Sequence, residues 1–174
     1  MAVPAHNEEK YLPETLAALA RAGEFLAGKG GRLIEILVVD NGSTDRTAQV
    51  AAASGARVIH EPEHNIAVVR NRGGEAARGE VIVFVDADTL VPETFLWRIH
   101  QVTADPALLG GAVDTAYRPD GFILKGYLGL YRLLGRVTGM AQGAAQFYRR
   151  DVFRTLGGYA DGFSWERTLT CFGG

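Results

Sequence analysis

The stretch GEVIVFVDADTLVP, residues 79–92, runs five apolar residues directly into two carboxylates, Asp86 and Asp88, with Ala87 between them. A short apolar, β-branched run between a glycine and a proline predicts a buried strand. In an extended segment, residues two apart point the same way and lie about 6.5–7 Å apart at Cα. We therefore expect both carboxylates to face one ligand; the alternative is a pair of solvated turn aspartates before a helix.

Helical and strand patterns alternate on either side of this stretch. Apolar spacing, caps and breakers predict helices at residues 12–28, 43–54, 66–78 and from Pro92, with Ser43 or Thr44 capping the second, and strands at 33–40, 56–60 and 81–85. This alternation is typical of an α/β protein with a mostly parallel sheet, whose ligands lie at the carboxyl ends of the strands. The whole chain, residues 1–174, fits a single Rossmann-like domain.

The second half of the chain is less regular. We predict a strand at residues 108–117, an amphipathic helix at 121–139, a strand running into a helix at 144–153 and a loop at 157–163. This change in regularity divides the chain into a predicted ligand-binding half, residues 1–105, and a second half, residues 106–174.

Composition excludes several classes of protein. A net charge of −2 gives no long-range attraction for nucleic acid. Cys171 is the only cysteine, so an intrachain disulfide and a cysteine-based zinc site are excluded. The opening MAVPAHNEE shows no secretory signal, and no apolar run reaches about 18 residues, the length of a spanning helix. We expect a soluble or peripheral protein, cytoplasmic or bound to the inner face of a membrane.

Polar residues follow the other predicted strands. Asp40 ends one strand and could accept hydrogen bonds from a nucleobase or ribose, with a helix start just beyond it. In PAHNEE, residues 4–9, His6 could stack on a base and Glu8 could bind a ribose, although Asn7 could equally cap the first helix. Arg70 could recognise a base or phosphate with its guanidinium, or could be an ordinary surface arginine.

The sequence HEPEH, residues 60–64, matches the H-E-x-x-H pattern of zinc proteases. That chemistry needs both histidines on one face of a helix. Pro62 stands between them just after a predicted strand, and proline disrupts a helix interior. We therefore reject the metalloprotease interpretation.

Four motifs occur in a characteristic order: VPAHNEE, VVDNGSTDRT, VRNRGGEAARGEVIVFVDADT and GGY followed by an acidic residue. Together they resemble the inverting, family 2 glycosyltransferases with the GT-A fold, over nearly the whole chain. The resemblance implies a hexosyltransferase-like enzyme of polysaccharide or cell-envelope biosynthesis. It would use a nucleotide-diphospho-sugar donor, Mg²⁺ or Mn²⁺, and a carbohydrate or lipid-linked acceptor.

The resemblance also assigns site residues. Asp86, Ala87 and Asp88 would be the DXD motif, with Asp88 on the metal and Asp86 on the ribose or the metal. The remaining donor-binding residues would be Pro4, Ala5, His6, Glu8, Asp40, Arg70 and Asn71. A divalent ion bridging the phosphates would stabilise the charge that develops on the leaving diphosphate.

The same resemblance places the general base at Glu166, which would take the proton from the attacking acceptor hydroxyl. Only three residues precede Pro4, and Arg167 replaces the aspartate that follows the base in the family. The family's later motifs have no room after Glu166. We therefore expect a chain that is truncated at both ends, through a truncated or frameshifted gene.

Two other functions are compatible with the same sequence motifs. VFVDADT also matches the D-x-D-x-T signature of haloacid-dehalogenase-like phosphatases, in which the first aspartate is the nucleophile and the second the acid or base. That motif usually ends the first strand of its fold, whereas here it follows two βα units. The other alternative is a fragment that binds a sugar nucleotide without competent catalysis.

Residues 122–137 carry Lys125, Arg132 and Arg136 among leucines, tyrosines and an isoleucine. Such a basic amphipathic stretch could lie on a membrane surface near a lipid-linked acceptor. Its apolar residues spread too widely for a clean interfacial face, so an ordinary core-packing helix is favoured. The sequence does not specify the oligomeric state.

Overall fold

A computed structural model describes residues 1–113 and 145–160 of the chain. The strands are β1 (Ala2–Ala5), β2 (Leu37–Asp40), β3 (Arg57–His60), β4 (Val81–Val85), β5 (Gly110–Val113) and β6 (Ala145–Arg149). The helices are α1 (Leu12–Gly28), α2 (Thr47–Ala53), α3 (Ile66–Ala76), α4 (Phe95–Val102) and α5 (Arg150–Thr155).

All six strands form one sheet in the order β3-β2-β1-β4-β6-β5. Strands β3, β2, β1 and β4 are parallel, whereas β6 runs antiparallel to both β4 and β5. The mostly parallel α/β fold predicted from the alternation of elements is confirmed. Strand β4, with its apolar run, is the strand at which the parallel and antiparallel parts meet.

The register brings the carboxyl ends of the parallel strands to one edge. Ala5 of β1 pairs with Asp40 of β2, and Asp40 pairs with His60 of β3. The residues that follow these strands, and those that follow β4, therefore emerge side by side. We call this the carboxyl edge.

Alternate side chains of the strands enter two apolar layers, one on each face of the sheet. On one face, Val3, Val38 and Val83 pack with α1, α2 and α4. On the other face, Ala2, Val39 and Phe84 pack with α3 and α5. Apolar packing on both faces explains why the central strands read as continuous apolar runs rather than as alternating patterns.

Several predicted bounds were wrong. Strand β2 begins at Leu37 rather than at residue 33, and Leu33 is 95% exposed. Helix α2 begins at Thr47 rather than after Ser43 or Thr44, and α3 ends at Ala76. Helix α4 begins at Phe95 because the chain first turns at Pro92, whose carbonyl accepts a hydrogen bond from Phe95 N.

The predicted helix at 121–139 lies outside the described residues, so its membrane-facing interpretation stays a prediction. Within residues 1–113 and 145–160, no helix has both the length and the apolar character needed to cross a bilayer.

Candidate functional site

The loops after β1 and β2 interlock at the carboxyl edge. Asn7 has φ 55°, in the left-handed region that asparagine tolerates better than most residues. Its side-chain Oδ1 accepts hydrogen bonds from Thr44 N at 2.8 Å and from Asp45 N at 3.4 Å. Its backbone N–H donates to Ser43 Oγ at 3.0 Å. Asn7 therefore caps the turn before α2, not α1 as the sequence suggested.

The hydroxyl of Thr47 continues this interlock into α2. Thr47 is fully buried, and its Oγ1 accepts a hydrogen bond from Glu8 N at 2.8 Å and donates to Asp45. Asp45 also accepts from Thr47 N at 2.9 Å and from Glu9 N at 3.1 Å. These bonds explain why α2 begins at Thr47: Ser43 and Thr44 are committed to Asn7 and are not available as helix caps.

Asp40, the last residue of β2, lies beside these interlocked loops. Its residue surface is 5% exposed, and Oδ1 accepts a hydrogen bond from Ser43 N at 3.3 Å. Oδ2 lies 3.3 Å from Nδ1 of the exposed His60. Both of these distances are long for hydrogen bonds, so each carboxylate oxygen of Asp40 can still accept a hydrogen bond from a ligand.

Two further imidazole rings, those of His6 and His64, lie near the chain just after Asp40. His6 Nδ1 lies 2.7 Å from Asn41 O, and its Nε2 lies 3.2 Å from Asn7 Nδ2. A carbonyl only accepts and an amide nitrogen only donates, so these partners assign the proton to Nδ1 of a neutral ring. The ring of His64 meets that of His6 edge to face at 5.1 Å. Both residues are exposed, and a Cβ on Gly42, which has φ 63°, would lie 3.4 Å from Cε1 of His64.

The loop that carries His64 is fixed from the neighbouring strand. Asn41 Nδ2 donates to Glu61 O at 2.8 Å and to Glu63 O at 2.7 Å. Beyond it, Asn65 caps α3 by accepting from Ala67 N. The loops around Asp40 and His6, which we call the nucleoside end after the ligand predicted for these two residues, are thus held by backbone and amide hydrogen bonds.

The DAD segment is a turn rather than an extended stretch, which corrects the predicted spacing argument. Strand β4 ends at Val85, and Thr89 N donates to Asp86 O at 3.1 Å. The Ala87 carbonyl accepts from the buried hydroxyl of Thr15, on α1, at 2.8 Å. We call residues 86–89 the metal end, after the ion predicted to bind there.

Because the chain turns there, the two aspartates differ in their surroundings. Asp86 is half-buried, and its Oδ1 accepts from Arg70 Nη2 at 3.0 Å. Asp88 is exposed. Burial raises the pKa of Glu8, and the nearby charges of Asp88 and Asp45 raise it further. Negative charge therefore accumulates between the two ends of the site, where a cation would be favoured.

Helix α3 brings Arg70 to Asp86 through close packing. A Cβ on Gly73 would lie 3.0 Å from Ala2 Cβ, and one on Gly74 would lie 2.2 Å from the Phe153 ring. Two glycines therefore allow α3 to approach the sheet and α5 closely. The amide of Asn71, the next residue, is hydrogen-bonded to the backbone of Tyr159, and its predicted role in donor binding stays a prediction.

The remaining predicted donor-binding residues are buried. Pro4 and Ala5 belong to β1, and Ala5 O accepts from Asn41 N at 2.8 Å. Ala87 is 5% exposed. Glu166 lies outside the described residues, so its role stays a prediction.

The carboxylate oxygens at the metal end are suitable ligands for a hard divalent cation. Among the described residues, no group of three or more His, Cys, Asp or Glu side chains could hold a metal. Asp88 and the second oxygen of Asp86 offer carboxylates, and Mg²⁺ typically binds one or two carboxylates together with substrate phosphates. The protein would thus supply part of the coordination and a diphosphate the rest.

Sequence reasoning missed Thr15, Thr47, His64 and Tyr159. Each acts through a partner more than 35 residues away in the chain, and local patterns carry no signal for such a pairing. The GGY motif gave some indication for Tyr159, since paired glycines suggest a special turn.

Comparison with known proteins supports this architecture. A model of the family described as Glycosyl transferase family 2 matches residues 1–157. The glycosyltransferase GlyG of Streptococcus pneumoniae is 33% identical over 105 residues, 57% of this chain and 33% of that protein. An undecaprenyl-phosphate 4-deoxy-4-formamido-L-arabinose transferase of Pseudomonas aeruginosa is 31% identical over 131 residues, 67% of this chain and 37% of that protein. The chain thus spans about a third of these curated relatives.

Solved structures share the fold. A mannosyltransferase from Pyrobaculum calidifontis, in complex with GDP-Man and Mn²⁺, superposes with a TM-score of 0.72 at 23% identity, over 91% of this chain and 46% of that one. A glucosyl-3-phosphoglycerate synthase from Mycobacterium tuberculosis, in complex with Mn²⁺, UDP and glucosyl-3-phosphoglycerate, gives 0.69 at 22%, over 97% and 62%. These likenesses confirm the predicted GT-A fold.

Proposed function

The chain belongs to glycosyl transferase family 2, and from that premise we propose that it transfers a sugar from a nucleotide-diphospho-sugar to an acceptor hydroxyl, with inversion and with the help of a divalent metal. The observation that carries the proposal is the convergence of Asp40, Glu8 and the Asp86 turn at one edge of the sheet, with Arg70 against Asp86. A phosphatase assignment of DADT has no comparable support.

The nucleoside end would bind the base and ribose. Asp40 can accept hydrogen bonds from the N–H groups of a base, and the His6 ring offers a face for stacking. Glu8 is close enough to both Asp88 and Asp45 for their charges to raise its pKa, which suits a contact with the ribose. Pro4 and Ala5, both buried in β1, would support the base from below.

The metal end would bind the diphosphate. Asp88 would hold Mg²⁺ or Mn²⁺, while Asp86, already paired with Arg70, would contribute its second oxygen to the metal or the ribose. The ion would supply positive charge where the leaving diphosphate becomes more negative. Arg70 would keep Asp86 oriented, and Ala87 would place the turn beneath the phosphates.

The second half of the chain, residues 106–174, would form the acceptor side, with Glu166 as the base that takes the hydroxyl proton. The acceptor would be a carbohydrate or a lipid-linked sugar of polysaccharide or cell-envelope synthesis; the name of the P. aeruginosa relative includes undecaprenyl phosphate. Such an acceptor would place the protein in the cytoplasm, peripheral to the inner face of the membrane.

The direct test is calorimetry of the purified chain with UDP and with GDP, each with Mn²⁺, with Mg²⁺ and with excess chelator. We expect metal-dependent binding of one nucleotide. If neither nucleotide binds with either metal, the proposal is wrong. A sugar-nucleotide hydrolysis assay on the same sample then separates an enzyme from a protein that binds the donor without turning it over.

A single substitution examines the metal end. Asp88→Asn removes a carboxylate charge, and we expect it to weaken metal-dependent nucleotide binding by more than about tenfold, roughly 1.4 kcal/mol. Asp105→Asn, in a turn after α4, is the matched control and should leave the affinity unchanged. Equal affinities for the Asp88→Asn and native chains would show that residues 86–89 only form the turn before α4 and do not bind the metal.

A further inference from the structure

The loop after α5 folds back onto α3 and is fastened there by one side chain. Asn71 Nδ2 donates to Tyr159 O at 2.9 Å, and Asn71 Oδ1 accepts from Tyr159 N at 2.7 Å. The amide thus takes both backbone hydrogen-bonding groups of a residue 88 positions away. We call this arrangement of Asn71, Gly158 and Tyr159 the clasp.

The clasp depends on the glycine pair of the GGY motif. Gly157 and Gly158 have φ 75° and 76°, both in the left-handed region that costs other residues conformational energy. A Cβ on Gly158 would lie 2.3 Å from Asn71 Oδ1. Two successive glycines therefore make the tight turn, and the second leaves room for the amide that holds it.

The clasp presses the ring of Tyr159 against Arg70. The Arg70 guanidinium carbon lies 5.5 Å from the ring centroid, within the range of a cation–π contact. The ring also makes edge-to-face contacts with Phe84, Phe153 and Tyr148. Arg70 Nε is buried and has no hydrogen-bond partner within residues 1–113 and 145–160, so the ring and Asp86 are what orient the guanidinium there.

The hydroxyl of Tyr159 is also held in place by a hydrogen bond. It donates to Gln146 Oε1 on β6, which also accepts from Tyr148. Burial, with the neighbouring Tyr148, raises the pKa of Tyr159 far above its ordinary value, so the hydroxyl stays a donor. Tyr159 therefore has a fixed backbone, a fixed ring and a fixed hydroxyl.

We propose that Tyr159 is a positioning residue for the donor site. Held by Asn71, it orients the Arg70 guanidinium toward Asp86 and so fixes the geometry of the metal end. This inference rests on the proposed function for its effect on donor binding, but not for its effect on Arg70. On this view Asn71 acts through Tyr159 and does not touch the donor.

The first experiment observes Arg70 directly and needs no ligand. In ¹⁵N spectra of the full chain, the Arg70 Nε–H signal is assigned by its loss in Arg70→Met, and its hydrogen exchange is measured against that of Arg72, a more exposed arginine on the same helix. Burial of Nε predicts slow exchange in the native chain. In Tyr159→Leu we expect exchange as fast as that of Arg72.

Phe153→Leu is the matched control. Phe153 belongs to the same aromatic cluster and is buried, but the cation–π contact of Arg70 is with Tyr159. We expect Phe153→Leu to lower the melting temperature while the Arg70 signal stays protected. Protection that survives Tyr159→Leu, or that is lost equally in Phe153→Leu, would overturn the proposal.

Asn71→Ala provides a second variant in case Tyr159→Leu does not fold. It removes both hydrogen bonds of the clasp and keeps the ring, and we expect faster Arg70 exchange than in the native chain. Unchanged exchange in Asn71→Ala would show that the clasp does not position Arg70.

The second experiment connects the clasp to the donor site. We expect Tyr159→Leu to weaken metal-dependent binding of the nucleotide by about fivefold, a coupling typical of neighbouring residues. Adding Tyr159→Leu to Arg70→Met should weaken binding no further, because the tyrosine acts through the arginine. Additive losses would overturn this step. A native chain that binds no nucleotide would defeat the proposed function, while the exchange measurement would still decide the clasp.

Discussion

The two ends of the candidate site are built in different ways. At the nucleoside end, side chains of one loop satisfy backbone N–H groups of the other: Asn7 accepts from Thr44 N, and Thr47 accepts from Glu8 N. At the metal end, one hydrogen bond from Thr15 and one ion pair from Arg70 hold a turn whose second aspartate is exposed.

This difference indicates which part of a ligand each end would bind. Loops that are already fixed by their own hydrogen bonds lose little conformational entropy when a base binds to them. An exposed carboxylate in a field of negative charge gains most from a cation. We therefore expect the nucleoside end to contribute stability to the fold and the metal end to contribute affinity that depends on metal.

The largest effect on stability should come from Thr47→Val, which keeps the shape of a fully buried side chain and removes its hydroxyl. Glu8 N loses its acceptor and Asp45 loses a donor. We expect the free energy of unfolding to fall by about 2–3 kcal/mol, as for a buried hydroxyl with two partners. Urea unfolding followed by circular dichroism measures it.

Thr155→Val is the control for that substitution, because Thr155 is exposed and its hydroxyl bonds only within α5. A change below about 0.5 kcal/mol is expected, as for surface substitutions. Similar losses for Thr47→Val and Thr155→Val would contradict a specific role for the interlock.

Thr15→Val makes the corresponding change at the metal end. The Ala87 carbonyl loses its one buried donor, and we expect a loss of about 1–2 kcal/mol in urea unfolding. Because the turn carries Asp88, metal-dependent nucleotide binding should also weaken. A loss of stability larger than that of Thr47→Val would reverse the order proposed for the two ends.

The smallest effect should come from Glu8→Gln and should depend on pH. The pKa of Glu8 in the folded chain lies above its ordinary value of 4.5. Just above pH 4.5 the folded chain therefore binds more protons than the unfolded chain, and stability falls as pH rises through this window. The variant should lack this decline and be more stable at pH 7 by less than about 1 kcal/mol, since the carboxylate is partly solvated.

Unfolding titrations between pH 4 and 7 measure this effect, with Glu93→Gln, in the turn before α4, as the control. Parallel curves for the Glu8→Gln and native chains would show that Glu8 does not sense Asp88 and Asp45 in the folded protein.

Much of the fold could be predicted because each element carries its own pattern. The apolar runs of β2 and β4 and the leucine spacing of α1 gave the alternation and hence the parallel sheet. The errors lie where a distant residue competes with a local signal. Ser43 and Thr44 look like caps of α2 until Asn7, 37 residues from Thr44, takes their hydrogen bonds.

That several candidate site residues would meet at one edge of the sheet could be predicted, but their geometry could not. Strand ends placed Asp40 and Asp86 at one edge, which is a consequence of parallel topology. The difference between Asp86 and Asp88 was not predictable, because it arises from a turn that breaks the two-residue alternation at Asp86. The clasp joins residues 88 positions apart through an amide, and no spacing rule encodes that contact.

The register of the antiparallel strands has a consequence for how such a protein could be re-engineered. Val85 pairs with Ala145, and Ala145 pairs with Val113, so all three lie level at the end of the sheet where the Asp86 turn begins. Residues 114–144 therefore connect two positions beside that turn. Because chain length in such a connection has only a weak entropic cost, exchanging this segment would test the proposal that the second half of the chain binds the acceptor, with β4 and its aspartates left in place.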